Sequence, residues 1–196
     1  MNKYFILYKP YGTLSQFTKE HPSHHTLGEL FQFPKDVYPV GRLDQDSEGL
    51  LILTNDKRLN HFLLDPSYAH SRTYLVQVEG APQPEDLKKL MKGVKIRVGK
   101  KEYTTLPAQV IPLPEPPSVP DRDPPIRMRK TIPDSWIELE LKEGKNRQVR
   151  RMCAKVGFPV LRLIRSKVER LEIRDMKVGE VREMEKKELY QLLRLG

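Results

Sequence analysis

Between Trp136 and Val156 the spacing of apolar residues switches from two to a little under four, and that switch commits the chain to combining strand with helix. Ile137, Leu139 and Leu141 alternate with Trp136, Glu138, Glu140 and Lys142, so an extended segment there has one apolar side and one mostly charged side. Val149, Met152, Cys153 and Val156 then fall at i, i+3, i+4 and i+7, one stripe of a helix that Gly157 is placed to stop. The same mixture recurs elsewhere. Tyr4 to Tyr8 reads as a strand closed by a turn through Pro10 and Gly12, and Leu50 to Leu53 as a short strand buried on both faces. Asp56 to Leu64 has a helical pattern, and Arg72 to Glu79 alternates with Tyr74, Val76 and Val78 on one face. Pro84 to Met91 carries a short helix opened by its proline. Interleaved strands and helices with hairpin-like pairings predict an α+β fold.

Composition narrows the partner more than the fold. Of 196 residues 38% are hydrophobic and 31% charged, which suits a soluble globular chain rather than a disordered one. The formal charge of +9 favours a polyanion, because phosphates attract Lys and Arg regardless of sequence. No apolar run approaches the roughly 20 residues that span a bilayer, and the first residues break too early for a signal peptide, so a cytoplasmic protein without a membrane partner is expected. Cys153 is the only cysteine, which excludes an internal disulfide framework and any multi-cysteine zinc site. His21, His24 and His25 cluster at a spacing that invites a metal, but they read as a solvated loop, and no metal is expected. Nor is an organic cofactor, since no Gly-rich phosphate loop of the dinucleotide or P-loop kind is present. A monomer is expected.

Two constellations carry chemistry. Gly41 to Gly49 places Asp44, Asp46 and Glu48 in one loop between apolar segments. Calcium is a poor occupant, because the twelfth position of an EF-hand beginning at Asp44 is Asn55 rather than a bidentate Glu. Local turn chemistry explains part of the pattern, with Asp46 and Glu48 shaping and capping the loop. In the helix near Val149, Arg147, Arg151 and Lys155 cluster opposite the apolar stripe, where they either contact phosphates or form a solvated basic face. Arg150 sits beside the stripe and is placed to turn inward toward a carboxylate. A proline-rich basic excursion runs from Pro107 to Pro133 and includes Arg122, Arg127, Arg129 and Lys130.

Gly41-Arg42-Leu43-Asp44 followed by Asp46-Ser47-Glu48-Gly49-Leu50-Leu51 resembles the catalytic motif of the RsuA-like branch of the pseudouridine synthases, ribosomal RNA enzymes. Three further stretches fall in the order that branch shows: Lys9 to Gly12, Arg72-Thr73-Tyr74, and Glu143 to Met152. Asp123 to Arg127, Ile132 to Trp136 and Gln16 to Thr18 resemble the members that act on large-subunit ribosomal RNA. Most of the branch carries a preceding S4-type RNA-binding domain; none is expected here, so RNA docking is expected to fall to the core's own basic surface.

The resemblance implies an isomerase that moves a uridine from its N1 to its C5 linkage near the peptidyl-transferase centre of 23S ribosomal RNA, free or within an assembling particle. It implies a mixed, mostly antiparallel sheet with flanking helices around a central RNA-binding cleft. The catalytic domain would span 1–175 as two subdomains, with 176–196 a helical C-terminal extension. Carried over by motif, Asp44 is the catalytic carboxylate, acting on C1′, on C6 or as a proton abstractor. Arg150 is its paired cation and Tyr74 the residue that stacks on the base and assists proton removal from C5. Arg42 assists extrusion of the nucleotide, which a base within RNA structure requires, by filling the vacated space or by holding backbone phosphate. Lys145, Asn146, Arg147 and Arg151 are candidate RNA contacts, joined by Arg127, Arg129 and Lys130. The rival reading is a non-catalytic RNA-binding or ribosome-assembly module on the same fold. A DNA-binding helix fits poorly, because no helix-turn-helix partner or dimer heptads accompany it.

Overall fold

The computed structural model describes residues 1–126 and 131–195. In chain order these form β1 (Tyr4–Lys9), β2 (Thr13–Leu14), β3 (His25–Thr26), β4 (Tyr38–Pro39), β5 (Glu48–Thr54) and α1 (Lys57–Leu64). Then come β6 (Arg72–Glu79), α2 (Pro84–Lys92), β7 (Lys95–Val98), β8 (Lys101–Thr104), β9 (Gln109–Leu113) and β10 (Asp134–Leu141). The last elements are α3 (Gln148–Lys155), β11 (Val160–Val168), β12 (Leu171–Glu172), β13 (Val181–Glu183) and α4 (Lys186–Leu192). The architecture is α+β, with mostly antiparallel pairings and parallel ones between β5 and β11 and between β2 and β3. Two units emerge, Met1–His70 with Ile164–Gly196, and Ser71–Leu163. Among the described residues no helix is long and apolar enough to cross a membrane.

The first unit is built on the strand order β13-β1-β5-β11. Every residue of β5 is buried, Leu50 to Leu53 as their uninterrupted apolar run dictates, and β1 pairs with it antiparallel from Tyr4↔Thr54 to Lys9↔Gly49. Phe5, Leu7, Leu51 and Leu53 meet Leu27, Val37 and Leu43 in one core cluster. Helix α1 starts where Asp56 caps it, accepting from the backbone N–H of Arg58 (3.0 Å) and Leu59 (3.4 Å), and it buries Leu59 and Leu63, one turn apart.

The segment after Met176 is woven into this unit. Val181–Glu183 adds an edge strand to β1, with Met184 N–H donating to the Tyr4 carbonyl at 2.8 Å. Helix α4 buries Leu189 and, just beyond it, Leu193, and it brings the Tyr190 hydroxyl to 2.8 Å from Asp56 Oδ2, which also accepts from Tyr4 at 2.7 Å. Burial alone would raise the Asp56 pKa, but the two tyrosine hydroxyls and the cap N–H groups outweigh it and hold the carboxyl below its ordinary value. Asp56→Ala thus removes a helix cap and strands two phenols. We expect it to cost about 2–4 kcal/mol in urea unfolding, and a loss below about 1 kcal/mol would show the cluster to be dispensable.

The second unit carries the order β6-β10-β9, with β10 antiparallel to β6 from Asp134↔Glu79 to Leu141↔Arg72. Ile137, Leu139 and Leu141 face inward as their alternation requires and join Val76, Val78, Leu87, Leu90, Val149, Met152 and Cys153 in one cluster. Trp136, expected on the opposite, charged side, is there but buried, its register partners being Gln77 and Leu113. The strand begins at Asp134, two residues earlier than its alternation suggests, because pairing with β6 continues that far. Helices α2 and α3 cover the cluster through Leu87 and Leu90, and through Val149, Met152 and Cys153.

Candidate active site

The backbone of the loop from Gly41 to Gly49 is fixed by partners far away in sequence. Ser15 Oγ donates to the Leu43 carbonyl (2.8 Å) and accepts from the Leu43 N–H (3.1 Å). Gly12 N–H donates to the Gln45 carbonyl (2.9 Å), and the Gln45 amide returns a bond to the Gly12 carbonyl (3.2 Å). Ser47 N–H closes a turn onto the Asp44 carbonyl at 3.0 Å. Asp44 itself is half-buried at the head of this turn, and Arg42 two residues earlier is exposed. Ser47 and Glu48 are buried and Asp46 is half-buried. Beyond it, Gly49 at φ +104° lets β5 run against β11, where the Arg165 Nε donates to the Leu50 carbonyl at 2.8 Å.

Beneath the loop lies Lys9, a charged residue with no solvent exposure. Its ammonium donates to the carbonyls of Thr13 (2.6 Å), Pro10 (2.9 Å) and Gln45 (3.5 Å), tying the turn after β1 to the acidic loop. Burial pushes its pKa down to about 7; Glu48, Asp46 and Asp44 pull it back up, and Arg165 pushes it down again. The folded chain therefore releases this proton near pH 7, whereas the ordinary value is 10.5. Between those values unfolding takes up a proton, so Lys9 makes stability rise with pH across the window. We expect the stability of the native protein to climb by up to a few kcal/mol, relative to that of Lys9→Met, between about pH 7 and pH 10. Parallel stability curves for the two proteins would show that Lys9 keeps its ordinary affinity for protons.

The second unit holds Tyr74, Lys145, Asn146, Arg147, Arg150 and Arg151. Tyr74 lies on β6, partly buried against the core cluster. Arg150 is half-buried on α3 with its Nη1 donating to the Val160 carbonyl at 3.3 Å, beside the seam its helical position predicts. Arg147 differs from expectation. Helix α3 begins one residue later, and Arg147 stands in the left-handed region at φ 51°, so it precedes the helix rather than lining its outer face. Arg151 is drawn to protein partners, its guanidinium donating to the Arg97 carbonyl and, at 3.0 Å, to Asn146 Oδ1. The Lys145 ammonium lies 4.8 Å from the centre of the Tyr103 ring. Arg127, Arg129 and Lys130 lie outside the described residues.

Two polar residues here escaped a reading by periodicity. Glu143 is buried and accepts from the Tyr103 hydroxyl, the Leu106 N–H (2.8 Å) and the Gln148 amide (2.5 Å). Gln148, also buried, accepts from the Lys145 N–H at 2.8 Å, so the pair clamps the turn that carries Lys145, Asn146 and Arg147. The bond to Glu143, then burial, pushes the Tyr103 phenol up to about 12. Burial likewise pushes the Cys153 thiol up to about 12, which removes it as a nucleophile at neutral pH. Among the described residues no group of three or more His, Cys, Asp or Glu side chains is arranged to hold a metal. His21 and His25 instead bond to Ser23 and Glu29, at 2.8 and 2.9 Å.

A family model described as RNA pseudouridylate synthase matches residues 3–155. The ribosomal large subunit pseudouridine synthase E of Xanthomonas axonopodis pv. citri (strain 306) is 55% identical over 161 residues, 82% of either chain. A protein of the same name from Vibrio parahaemolyticus serotype O3:K6 is 46% identical over 183 residues, 93% of this chain and 74% of that one. Among solved structures, one titled as the crystal structure of pseudouridylate synthase aligns with a TM-score of 0.78 at 26% identity, covering 98% of this chain and 74% of the other.

Proposed function

The chain belongs to the RNA pseudouridylate synthase family, and we propose that its substrate is one uridine of bacterial large-subunit (23S) ribosomal RNA, near the peptidyl-transferase centre, with Asp44 as the reacting carboxylate. As a pseudouridine synthase it is an isomerase. The observation that carries the substrate is the extent of likeness to two proteins named for the large ribosomal subunit, at 55% and 46% identity over most of their lengths.

The chemistry balances within the nucleotide. The N1–C1′ bond breaks, the base turns, C5 joins C1′, and the hydrogen on C5 leaves while N1 gains one. Asp44 supplies the electron pair, from a turn whose backbone is held by Ser15, Gly12 and Lys9. In this reading Arg150 is the cation that balances the carboxylate's charge. Tyr74 contributes a ring to stack on the uracil and a hydroxyl to take the C5 proton. The target nucleotide leaves its stack at a cost of a few kcal/mol, and Arg42 takes its place in the RNA. Lys145, Asn146 and Arg147 serve as phosphate contacts at the head of α3.

The test is release of tritium from ribosomal RNA labelled at uridine C5, followed by mapping of the modified position. Free RNA and precursor particles are offered in parallel, because either is a candidate form of the substrate. Release from large-subunit RNA at a single position supports the reading. Binding without release from any ribosomal RNA or particle would return the chain to the non-catalytic module.

A further inference from the structure

We propose that the outer face of α1 and the turn that follows it, carrying Arg58, His61, Phe62 and Tyr68, is a docking surface for a single-stranded stretch of the RNA substrate. The inference rests on the reading of the chain as acting on RNA and adds a place where the strand lies.

Three observations converge on this face. The first is an exposed aromatic ring held rigid. Tyr68 is 45% exposed, yet its ring packs edge-on against Phe62 (centroids 5.1 Å apart, 87°) and His61 (6.1 Å, 86°) and parallel to His70 (6.1 Å, 15°). A large ring braced from several sides and still open to water gives a base a stacking platform without an ordering cost. The second is charge. Lys57 and Arg58 are exposed cations on the helix, and the Arg58 guanidinium lies 5.3 Å from the centre of the Phe62 ring. The carboxylate beside them, Asp65, caps the following turn through the Ser67 N–H at 2.9 Å and lies 3.8 Å from His61. Cations interleaved with aromatic rings are complementary to a strand of phosphates and bases, the cations meeting phosphates while the rings stack on bases.

The third is position within the unit. Helix α1 leaves the far end of β5 and its last residue, Leu64, reaches the loop that bears Asp44. A Cβ on Gly41 would come within 3.1 Å of Leu64 Cδ2. Leu64 is itself 45% exposed, so an apolar bridge joins the aromatic turn to the Gly41–Asp44 segment. The face therefore adjoins the start of the loop that bears Asp44, three residues before that carboxylate.

The experiment measures binding of the intact protein to large-subunit ribosomal RNA and to a short single-stranded RNA spanning the mapped uridine, as a function of salt. Tyr68→Ala is expected to weaken both by roughly tenfold, a loss of one base stack, with the effect in turnover falling on KM. Tyr68→Phe and Tyr68→Trp, which keep the ring, are expected to restore binding. Arg58→Ala is expected to lower the slope of log affinity against log salt by about one unit, and Lys88→Ala on α2 to leave it alone. Binding and salt slope equal to the native protein in both Tyr68→Ala and Arg58→Ala would overturn the proposal. So would a concentration-dependent dimer that Tyr68→Ala abolishes, which would assign the face to a second copy. If the native protein releases no tritium while these binding differences stand, it is the enzymatic reading that fails and the surface that remains.

Discussion

Asp44→Ala is expected to end tritium release from C5-labelled uridine, a fall on the order of 10⁴-fold or more, while the protein stays folded and continues to bind RNA. The expectation comes from how the loop is held. Its shape depends on the Leu43, Asp44 and Gln45 backbone, bonded by Ser15, Ser47, Gly12 and Lys9, and truncating the Asp44 side chain removes none of those bonds. What disappears is the carboxylate proposed to supply electrons, and no neighbour is placed to replace it. Asp46 is two residues away on the turn, and Glu48 is buried at the start of β5. Asp44→Asn keeps the volume and removes the charge, so it should fail equally. A variant with alanine at 44 that retains more than a few per cent of native release would displace Asp44 from the reaction. A variant that loses both release and thermal stability would instead show that the side chain also supports the loop.

Gly49→Ala is expected to destabilise the protein by about 4 kcal/mol, a large part of a typical folding free energy. Two independent reasons add. The φ of +104° is one that side-chain-bearing residues rarely adopt, and an added Cβ would sit 2.3 Å from the Arg165 carbonyl oxygen and 2.8 Å from its nitrogen. These are backbone atoms of β11 at the register point Arg165↔Gly49, so they cannot swing aside as a side-chain tip does. Relief requires β5 and β11 to separate. Because β5 begins directly after the acidic loop, the strain should also show as lost activity at temperatures where the variant is still folded. Urea unfolding measures the first effect, and a loss of less than about 1 kcal/mol would show the strands to be more compliant than their geometry implies.

How much of this was legible in advance differs by kind of residue. The alternation of Ile137, Leu139 and Leu141, the stripe of Val149, Met152 and Cys153 and the apolar run of β5 each occupy the face their period assigns. The strands and helices expected over 4–8, 50–53, 56–64, 72–79 and 84–91 all form, within a few residues at their ends. Those features are local: a strand repeats every two residues and a helix every 3.6, and burial follows the apolar positions. The motif from Gly41 to Leu51 was equally readable, because a turn with three acids between apolar segments demands an explanation that composition alone does not supply.

The charged and polar residues divide differently. Nothing in Lys9-Pro10-Tyr11-Gly12 announces that the lysine is fully buried beneath the acidic loop, since its acceptors include the Gln45 carbonyl, 36 residues away. Glu143 and Gln148 are buried for the same reason, with partners on Tyr103 and Leu106. Arg147 and Arg151 fit an outer basic face by angle, but the left-handed residue before α3 and the Arg97 carbonyl place them otherwise. The segment after Met176 carries no motif, yet it supplies an edge strand to β1 and a hydroxyl to the cap of α1. The sequence by itself determined the elements, the faces they bury and the family motif around Asp44, because periodicity and turn chemistry act over a few residues. Tertiary structure alone decided which polar groups go inside, because a buried charge or amide is stable only where distant backbone delivers its partners.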